Sequence, residues 1–184
     1  VRRELTRCLV DGIGVVLSGV PAACSRIIQG YIRESATPGT ASVLGTGITT
    51  SAELAALANG VAGHAEDFDD TQLSTSPDRL YGLLTHPTTP ALAGTLAVAQ
   101  EVGASGREFL TALCAGFEVE CKIAEAINPD HYVKGHHTTG TVGTFAAAVA
   151  AAKLWRLTPK QTGFALGIAA SKSAGIRANF GTMT

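Results

Sequence analysis

The segment HAEDFDDT, residues 64–71, places one histidine and four carboxylates in eight positions. It directly follows the apolar run AELAALANGVAG. Carboxylates and imidazoles move protons in many enzymes, and both also bind metal ions. The segment is therefore a solvated helix end, a metal site or an acid–base centre.

Helical periodicity separates the acids of this segment. If a helix that begins near residue 51 continues through it, His64 and Asp67 lie three residues apart on one face. Asp69 then falls about 200° away from Asp67, so the four acids cannot all serve one site. The alternative interpretation is that Glu66, Asp69 and Asp70 form a solvated helix end. Acids at a helix C-terminus oppose its dipole, however, and this small cost favours a functional role.

Ligand spacing can be compared with three kinds of metal site. A calcium loop is excluded, because residues 67–72 lack the third ligand and the glycine that it requires. A magnesium site for a diphosphate is disfavoured, because Leu73 stands where the last acid would be needed. A transition-metal site of His64, Asp67 and a later histidine has suitable ligand types, but no H-x-x-x-H pair or cysteine ligand accompanies it. We therefore predict no metal ion.

Two polar connecting segments hold every histidine except His64. They are DDTQLSTSPDRLYGLLTHPTT, residues 69–89, and NPDHYVKGHHTTGT, residues 128–141. Loops held by a rigid scaffold commonly carry binding and catalytic groups. We expect function to reside in these two segments together with residues 64–71.

The scaffold that positions these segments is predicted to be mainly α. Hydrophobic residues make up 46% of the 184 residues and aromatic residues only 5%, a composition that suits closely packed helices with small-residue contacts. Three capping boxes predict helices that begin near residues 51, 106 and 159: Thr50 with Glu53, Ser105 with Glu108, and Thr158 with Gln161. At most one short strand, near Val43, is expected.

Helix boundaries follow from proline and glycine. A first helix, RRELTRCLVDGIGVVLSG, is followed by a second with Pro21 in its first turn. The helix TTPALAGTLAVAQEV should end at Gly103, and the helix that begins near 106 should stop at Asn128-Pro129. GTFAAAVAAAKLW supplies a further helix.

Composition also limits the classes of partner. The net charge is -1 and the basic residues are scattered, so no nucleic-acid partner is expected. No stretch approaches the roughly 20 apolar residues of a membrane span. No charged-then-apolar leader stands at the start, and we expect a cytoplasmic protein without membrane contact. The four cysteines form no C-x-x-C pair and are predicted to be core thiols.

Three segments together resemble the MmgE/PrpD family: ALANGVAGHAEDFDDT, THPTTPALAGTLAVAQ and YVKGHHTTGTVGTFAAAVAAAKLWRLTPKQTGFALGIAAS. Members of this family include 2-methylcitrate dehydratase and enzymes that decarboxylate or epimerise small polycarboxylates. The resemblance implies that residues 1–184 form the N-terminal part of a helical domain. It also implies that the family's lid domain and C-terminal helical segments are absent from this chain.

Matching the family's motifs to this sequence identifies candidate site residues. It implies that Asp67, His86 and His137 are catalytic, with Thr71 and Thr138 as hydrogen-bonding neighbours in the substrate site. His136 occupies a position where the family has an aromatic residue, and it is a further substrate-binding candidate. The link from Thr71 to His86 is longer than in the family, which indicates an extra loop at residues 72–84.

Two hypotheses of different class result. The first is a lyase that acts on a small di- or tricarboxylate by proton transfer, as a homodimer and without a cofactor. Under this hypothesis the chain is a fragment of the lyase and has little activity of its own. The second is a non-catalytic helical module that self-associates through apolar faces.

Overall fold

Residues 1–73 and 85–179 are described by the computed structural model, and helices form most of them. The helices are α1 (Arg2–Gly19), α2 (Ala23–Ser35), α3 (Ala52–His64), α4 (Thr88–Val102), α5 (Gly106–Ile127), α6 (Asp130–Val133), α7 (Thr138–Leu154) and α8 (Pro159–Lys172). Two strands, β1 (Ala41–Val43) and β2 (Ile48–Thr50), and a 3₁₀ helix at Arg177–Asn179 complete the described elements. The prediction of a mainly α fold is confirmed.

Two of the predicted capping boxes form at the starts of α5 and α8. The Ser105 hydroxyl accepts from the Glu108 N–H, and the Glu108 carboxylate accepts from the Ser105 N–H. Thr158 and Gln161 make the same reciprocal pair at α8. Each box satisfies two backbone donors that a helix start otherwise leaves free.

Helix α3 begins at Ala52, near the predicted residue 51, but the capping box of Thr50 and Glu53 does not form, and Pro21 does not lie inside α2. Ser51 precedes α3 without a side-chain cap bond, and the Thr50 hydroxyl donates to the Thr37 carbonyl at 3.0 Å instead. Thr50 is the last residue of β2, so its side chain serves the loop before the hairpin. Helix α2 begins at Ala23, and Pro21 lies in the turn that precedes it.

A two-stranded antiparallel hairpin replaces the single strand that the sequence predicted. Val43 of β1 pairs with Ile48 of β2. The hairpin is held by Asn59 of α3, whose amide donates to the Ser42 carbonyl and accepts from the Leu44 N–H. The second strand was not predicted because three residues of strand depend on this tertiary contact more than on local propensity.

Helix α7 packs against α4, α5 and α8, and α4 also contacts α3 and α1. Small side chains allow these helices to approach closely. A Cβ atom added at Gly116 of α5 would lie 2.6 Å from the Ala146 carbonyl oxygen of α7. The four cysteines are free and half-buried at the edges of this core. The buried alanines of the interfaces include Ala91, Ala97, Ala112, Ala146 and Ala150.

Within the described residues, no single helix is long and apolar enough to cross a membrane. Helices α1 and α2 meet those criteria only when taken together, and they are bent by 84° at the break between them.

Candidate functional site

The segment 64–71 leaves the helix at its first residue. Helix α3 ends at His64, and Asp67 adopts a left-handed backbone conformation with φ of 55°. Aspartate tolerates this region better than most residues because its short polar side chain can form local hydrogen bonds. The predicted continuation of the helix is therefore wrong, and helical phase does not decide which acids share a site.

Asp69 turns back towards the end of α3 and binds His64. The His64 Nδ1 atom lies 2.9 Å from Oδ1 and 3.1 Å from Oδ2 of Asp69, whose side chain is buried. This hydrogen bond raises the pKa of His64 above its ordinary value, although burial opposes the change. Burial would raise the pKa of Asp69, but the hydrogen bond and charge of His64 lower it overall. The pair therefore favours an imidazolium beside a carboxylate.

His86 lies directly before α4 and is buried between two of the acids. Its Nδ1 atom is 3.2 Å from the Asp69 carbonyl oxygen, and its Nε2 atom is 3.8 Å from Oδ1 of Asp67. A carbonyl oxygen only accepts, so Nδ1 is the ring nitrogen that carries a hydrogen towards Asp69. Within the described residues, this Nε2 atom is buried without a hydrogen-bond partner.

Asp70 serves the start of α4. Its carboxylate accepts from the Thr88 N–H at 3.1 Å and from the Thr88 hydroxyl at 2.6 Å. Burial is the main cause that raises the pKa of Asp70. An acid at this position stabilises the free donors of the helix start. The interpretation of Asp69 and Asp70 as a solvated helix end is wrong, while Glu66 is exposed as that interpretation requires.

His137 approaches from the second polar segment, as the residue that precedes α7. Its backbone N–H donates to the Gly175 carbonyl at 3.1 Å. Its ring stacks on His64 with centroids 6.0 Å apart, and the His64 and His86 centroids are 5.0 Å apart. Burial, and then the charges of His64 and His86, lower the pKa of His137. Three imidazoles thus converge from three different segments.

One cavity of about 1070 Å³ lies between α3, α4 and α7, and His64, Asp67, Asp69 and His137 open onto it. Asp67 is the exposed acid of the group, with 58% of its side chain accessible. The polar residues that line the cavity include His64, Asp67, Asp69, His137 and Thr139. The cavity therefore has a cationic side, a neutral imidazole and an accessible carboxylate within a few ångströms.

A sequence profile of the MmgE/PrpD N-terminal domain matches residues 1–184. The chain belongs to the MmgE/PrpD family. It is 33% identical to the cis-aconitate decarboxylase-like protein oryM of Aspergillus oryzae, over 97% of this chain and 37% of that protein. It is 29% identical to the cis-aconitate decarboxylase of Homo sapiens, over 97% of this chain and 36% of that protein. It is 30% identical to the cis-aconitate decarboxylase of Aspergillus terreus, over 95% of this chain and 36% of that protein. The chain thus spans little more than a third of these relatives.

The structure brings together the three residues that the MmgE/PrpD resemblance named as catalytic. Asp67 and His137 line the same cavity, and the Nε2 atom of His86 faces Asp67. Helical phase did not predict that Asp69 also lies in the cavity, because it wrongly assumed an unbroken helix. The catalytic roles of these residues remain predictions.

The predicted substrate-binding residues are not brought to the cavity in the described part of the chain. The Thr138 hydroxyl is buried and donates to Oδ1 of Asn128 at 3.3 Å. His136 is exposed and stacks on His131, with centroids 4.7 Å apart. Thr71 is exposed outside the cavity lining. The extra loop predicted at residues 72–84 lies outside the described residues from 74 onwards.

Three residues of the site escaped the sequence reasoning. His64 shared a predicted helix face with Asp67 but received no catalytic role, Asp69 was assigned to the opposite face, and Thr139 was not predicted as a site residue. The Thr139 hydroxyl accepts from the His86 N–H at 3.0 Å, which ties the two polar segments together. The signal for His64 was its position one turn before the acids of the same segment.

The cluster can be compared with a metal site. One ligand atom from each of His64, Asp67, Asp69 and His86 lies within 4.8 Å of the others. A tetrahedral zinc ion with ligands at about 2.1 Å would need them roughly 3.4 Å apart. Asp69 is already engaged by His64, so the present geometry fits a hydrogen-bonded acid–base cluster better than one ion.

Proposed function

We propose that the intact protein containing these residues is a lyase that acts on a small di- or tricarboxylate by acid–base proton transfer. The observation that carries the proposal is the pair of stacked imidazoles, His64 and His137, whose pKa values are shifted in opposite directions. Environments that separate two titratable groups in this way assign one as acid and the other as base.

His64 supplies the positive charge. The hydrogen bond with Asp69 raises the pKa of His64 and so favours its protonated ring, which lines the cavity. An imidazolium attracts a substrate carboxylate and stabilises negative charge that develops next to it. The buried Asp69 carboxylate also fixes the ring direction through Nδ1, so the charge is in place before substrate arrives.

His137, Asp67 and His86 supply the groups that move protons. His137 is neutral near pH 7 because burial and nearby imidazoles lower its pKa, so it can accept a proton from carbon or oxygen. Oδ1 of the accessible Asp67 carboxylate lies 3.8 Å from the buried Nε2 atom of His86, so the two side chains act next to each other.

Decarboxylation is the first reaction to test, since the relatives above carry that name. The bond between a carboxylate and its carbon breaks, carbon dioxide leaves, and the electron pair stays on carbon. The imidazolium of His64 offsets the developing charge, and one proton from an acid of the cavity then completes the product. Dehydration uses the same groups: a base removes a proton from carbon, and a protonated group delivers a proton to the departing hydroxide.

The test follows carbon dioxide release, dehydration and exchange of the proton next to a carboxylate, on a panel of small di- and tricarboxylates. In the intact protein, Asp67→Asn and His137→Gln should each lower turnover by about 10²- to 10⁴-fold. Asp130→Asn is the matched control, because this exposed aspartate pairs only loosely with Lys134 at 3.9 Å. Unchanged turnover in Asp67→Asn would overturn its role. A folded protein with no turnover on any substrate would favour the non-catalytic, self-associating module.

A further inference from the structure

Glu120 is a carboxyl group buried inside the helical core, in the middle of α5. Its side chain is 0% exposed. Oε1 lies 2.6 Å from the Thr85 hydroxyl oxygen, and Oε2 has no hydrogen-bond partner among the described residues. Burying a carboxyl group without full compensation is costly, so its presence requires a physical reason.

A chain of hydrogen bonds joins Glu120 to the candidate site. The Thr85 hydroxyl oxygen is also 3.3 Å from the hydroxyl oxygen of Thr139. The Thr139 oxygen in turn accepts from the backbone N–H of His86 at 3.0 Å. Glu120 on α5 and Thr139 on α7 therefore hold the two residues that lead into α4.

We propose that Glu120 is a positioning residue for His86, and that it fixes the backbone and ring direction of His86 through the hydroxyls of Thr85 and Thr139. It does not touch the cavity. The effect on turnover rests on the proposed function, whereas the effect on the geometry of His86 does not.

The protonation state of Glu120 decides which groups donate and which accept along this chain of hydrogen bonds. Thr85 has one hydroxyl hydrogen but two acceptors within reach, Glu120 and Thr139. A neutral Glu120 can donate its own proton to Thr85, which leaves the Thr85 hydrogen for Thr139. An ionised Glu120 can only accept, so it takes the Thr85 hydrogen, and the Thr85–Thr139 bond then requires Thr139 to donate its own hydrogen to the Thr85 oxygen.

The surroundings of Glu120 favour the neutral form at pH 7. Burial raises the pKa of Glu120 to about 8, against the opposing hydrogen bond from Thr85. The charges of Asp70 and Asp69, in the segment before α4, raise it further. The adjacent Cys121 thiol is uncharged, because burial raises its pKa to about 12. The hydrogen bonds therefore run from Glu120 towards Thr139 at neutral pH, and their direction reverses as Glu120 ionises.

The test reads His86 directly by NMR of its ring and backbone nitrogens in the intact protein, with the signals assigned from their loss in His86→Gln. In the wild-type protein the His86 signals should shift with a midpoint near pH 8, together with the carboxyl carbon of Glu120. Glu120→Gln should abolish that transition, because glutamine cannot ionise. Glu118→Gln is the matched control on the same helix, since Glu118 is 65% exposed, and it should retain the transition.

A second variant keeps the proposal falsifiable if Glu120→Gln does not fold. Thr85→Val removes the hydroxyl link while Glu120 remains, so the carboxyl carbon should still titrate but the His86 signals should no longer follow it. Persistence of the His86 transition in either variant would overturn the proposal, and so would a Glu120 carboxyl that titrates at its ordinary value of 4.5. Turnover, measured separately, decides the proposed function: its absence beside the expected NMR result refutes the lyase and leaves the positioning role intact.

Discussion

His64 and Asp69, five residues apart, form a half-buried acid–base pair although no helix connects them. The His64 Nδ1 atom lies 2.9 Å from Oδ1 of Asp69, and the left-handed residue Asp67 makes the turn between them. The same turn leaves the Asp67 carboxylate in the cavity mouth. The reversal of the chain directly after α3 therefore places Asp69 against Nδ1 of His64 and leaves Asp67 on the cavity side.

Replacing Asp69 with asparagine should lower the pKa of His64, because the hydrogen bond from Asp69 is the main cause that raises it. Histidine NMR over the neutral pH range measures this directly. Asp130→Asn, on the surface, should leave the His64 titration unchanged. An unaltered His64 titration in Asp69→Asn would contradict the assignment of His64 as the cationic group.

The same pair makes stability depend on pH. Asp69 has a lowered pKa, so its contribution is present above its ordinary value of 3.8 and is lost as pH falls through the folded pKa. His64 has a raised pKa, so its contribution is present below 6.5 and is lost as pH rises through the folded pKa. Urea unfolding should show the difference in free energy of unfolding between wild type and Asp69→Asn to be largest between these two values.

Glu120→Gln should stabilise the protein at alkaline pH relative to the wild type. The folded pKa of about 8 exceeds the ordinary value of 4.5, so the folded state binds more protons between these values. Wild-type stability from this group therefore falls as pH rises through that window, by on the order of a few kcal/mol. Denaturant unfolding of both proteins at pH 5 and pH 9 measures the change, and parallel stability curves would refute it.

Ser105→Ala should destabilise the protein by about 1 kcal/mol, because it removes the side-chain cap of α5. Urea unfolding measures the loss, and the exposed Thr6→Ala variant of α1 should change the stability by less than about 0.5 kcal/mol. The bonds from Ser105 and Arg156 also lower the pKa of Glu108 to about 2. The cap should therefore persist until pH falls through that value, and Glu108→Gln should remove this acid dependence.

Two helical glycines should respond to alanine in opposite directions. At Gly116 the new methyl group would lie 2.6 Å from the Ala146 carbonyl oxygen, so α5 and α7 must separate, at a cost of roughly 1–3 kcal/mol. At Gly163 of α8 nothing lies within 4 Å, and alanine should stabilise the helix by up to about 1 kcal/mol. Thermal unfolding of both variants measures the difference. Equal effects would mean that α5 and α7 are not in close contact.

Local sequence was sufficient for the helices and several of their ends. The capping boxes at Ser105 and Thr158 act within four residues, and Gly103 follows α4 in the left-handed conformation that glycine permits. The family was also readable from motifs. Of the three residues that the motifs named, Asp67 and His137 line one cavity, and His86 is buried beside Asp67.

Tertiary structure alone decided which neighbours of those residues matter. Thr138 and Thr139 are adjacent in sequence, yet Thr138 binds Asn128 while Thr139 binds the backbone of His86. Helical phase put Asp69 on the wrong face, because the turn at Asp67 breaks the period on which the argument rested. Glu120 gave no signal in the sequence because burial causes its shifted pKa, and burial depends on helices far apart in the chain. Period and capping are properties of a few consecutive residues, whereas proximity and desolvation arise only when separate segments pack together.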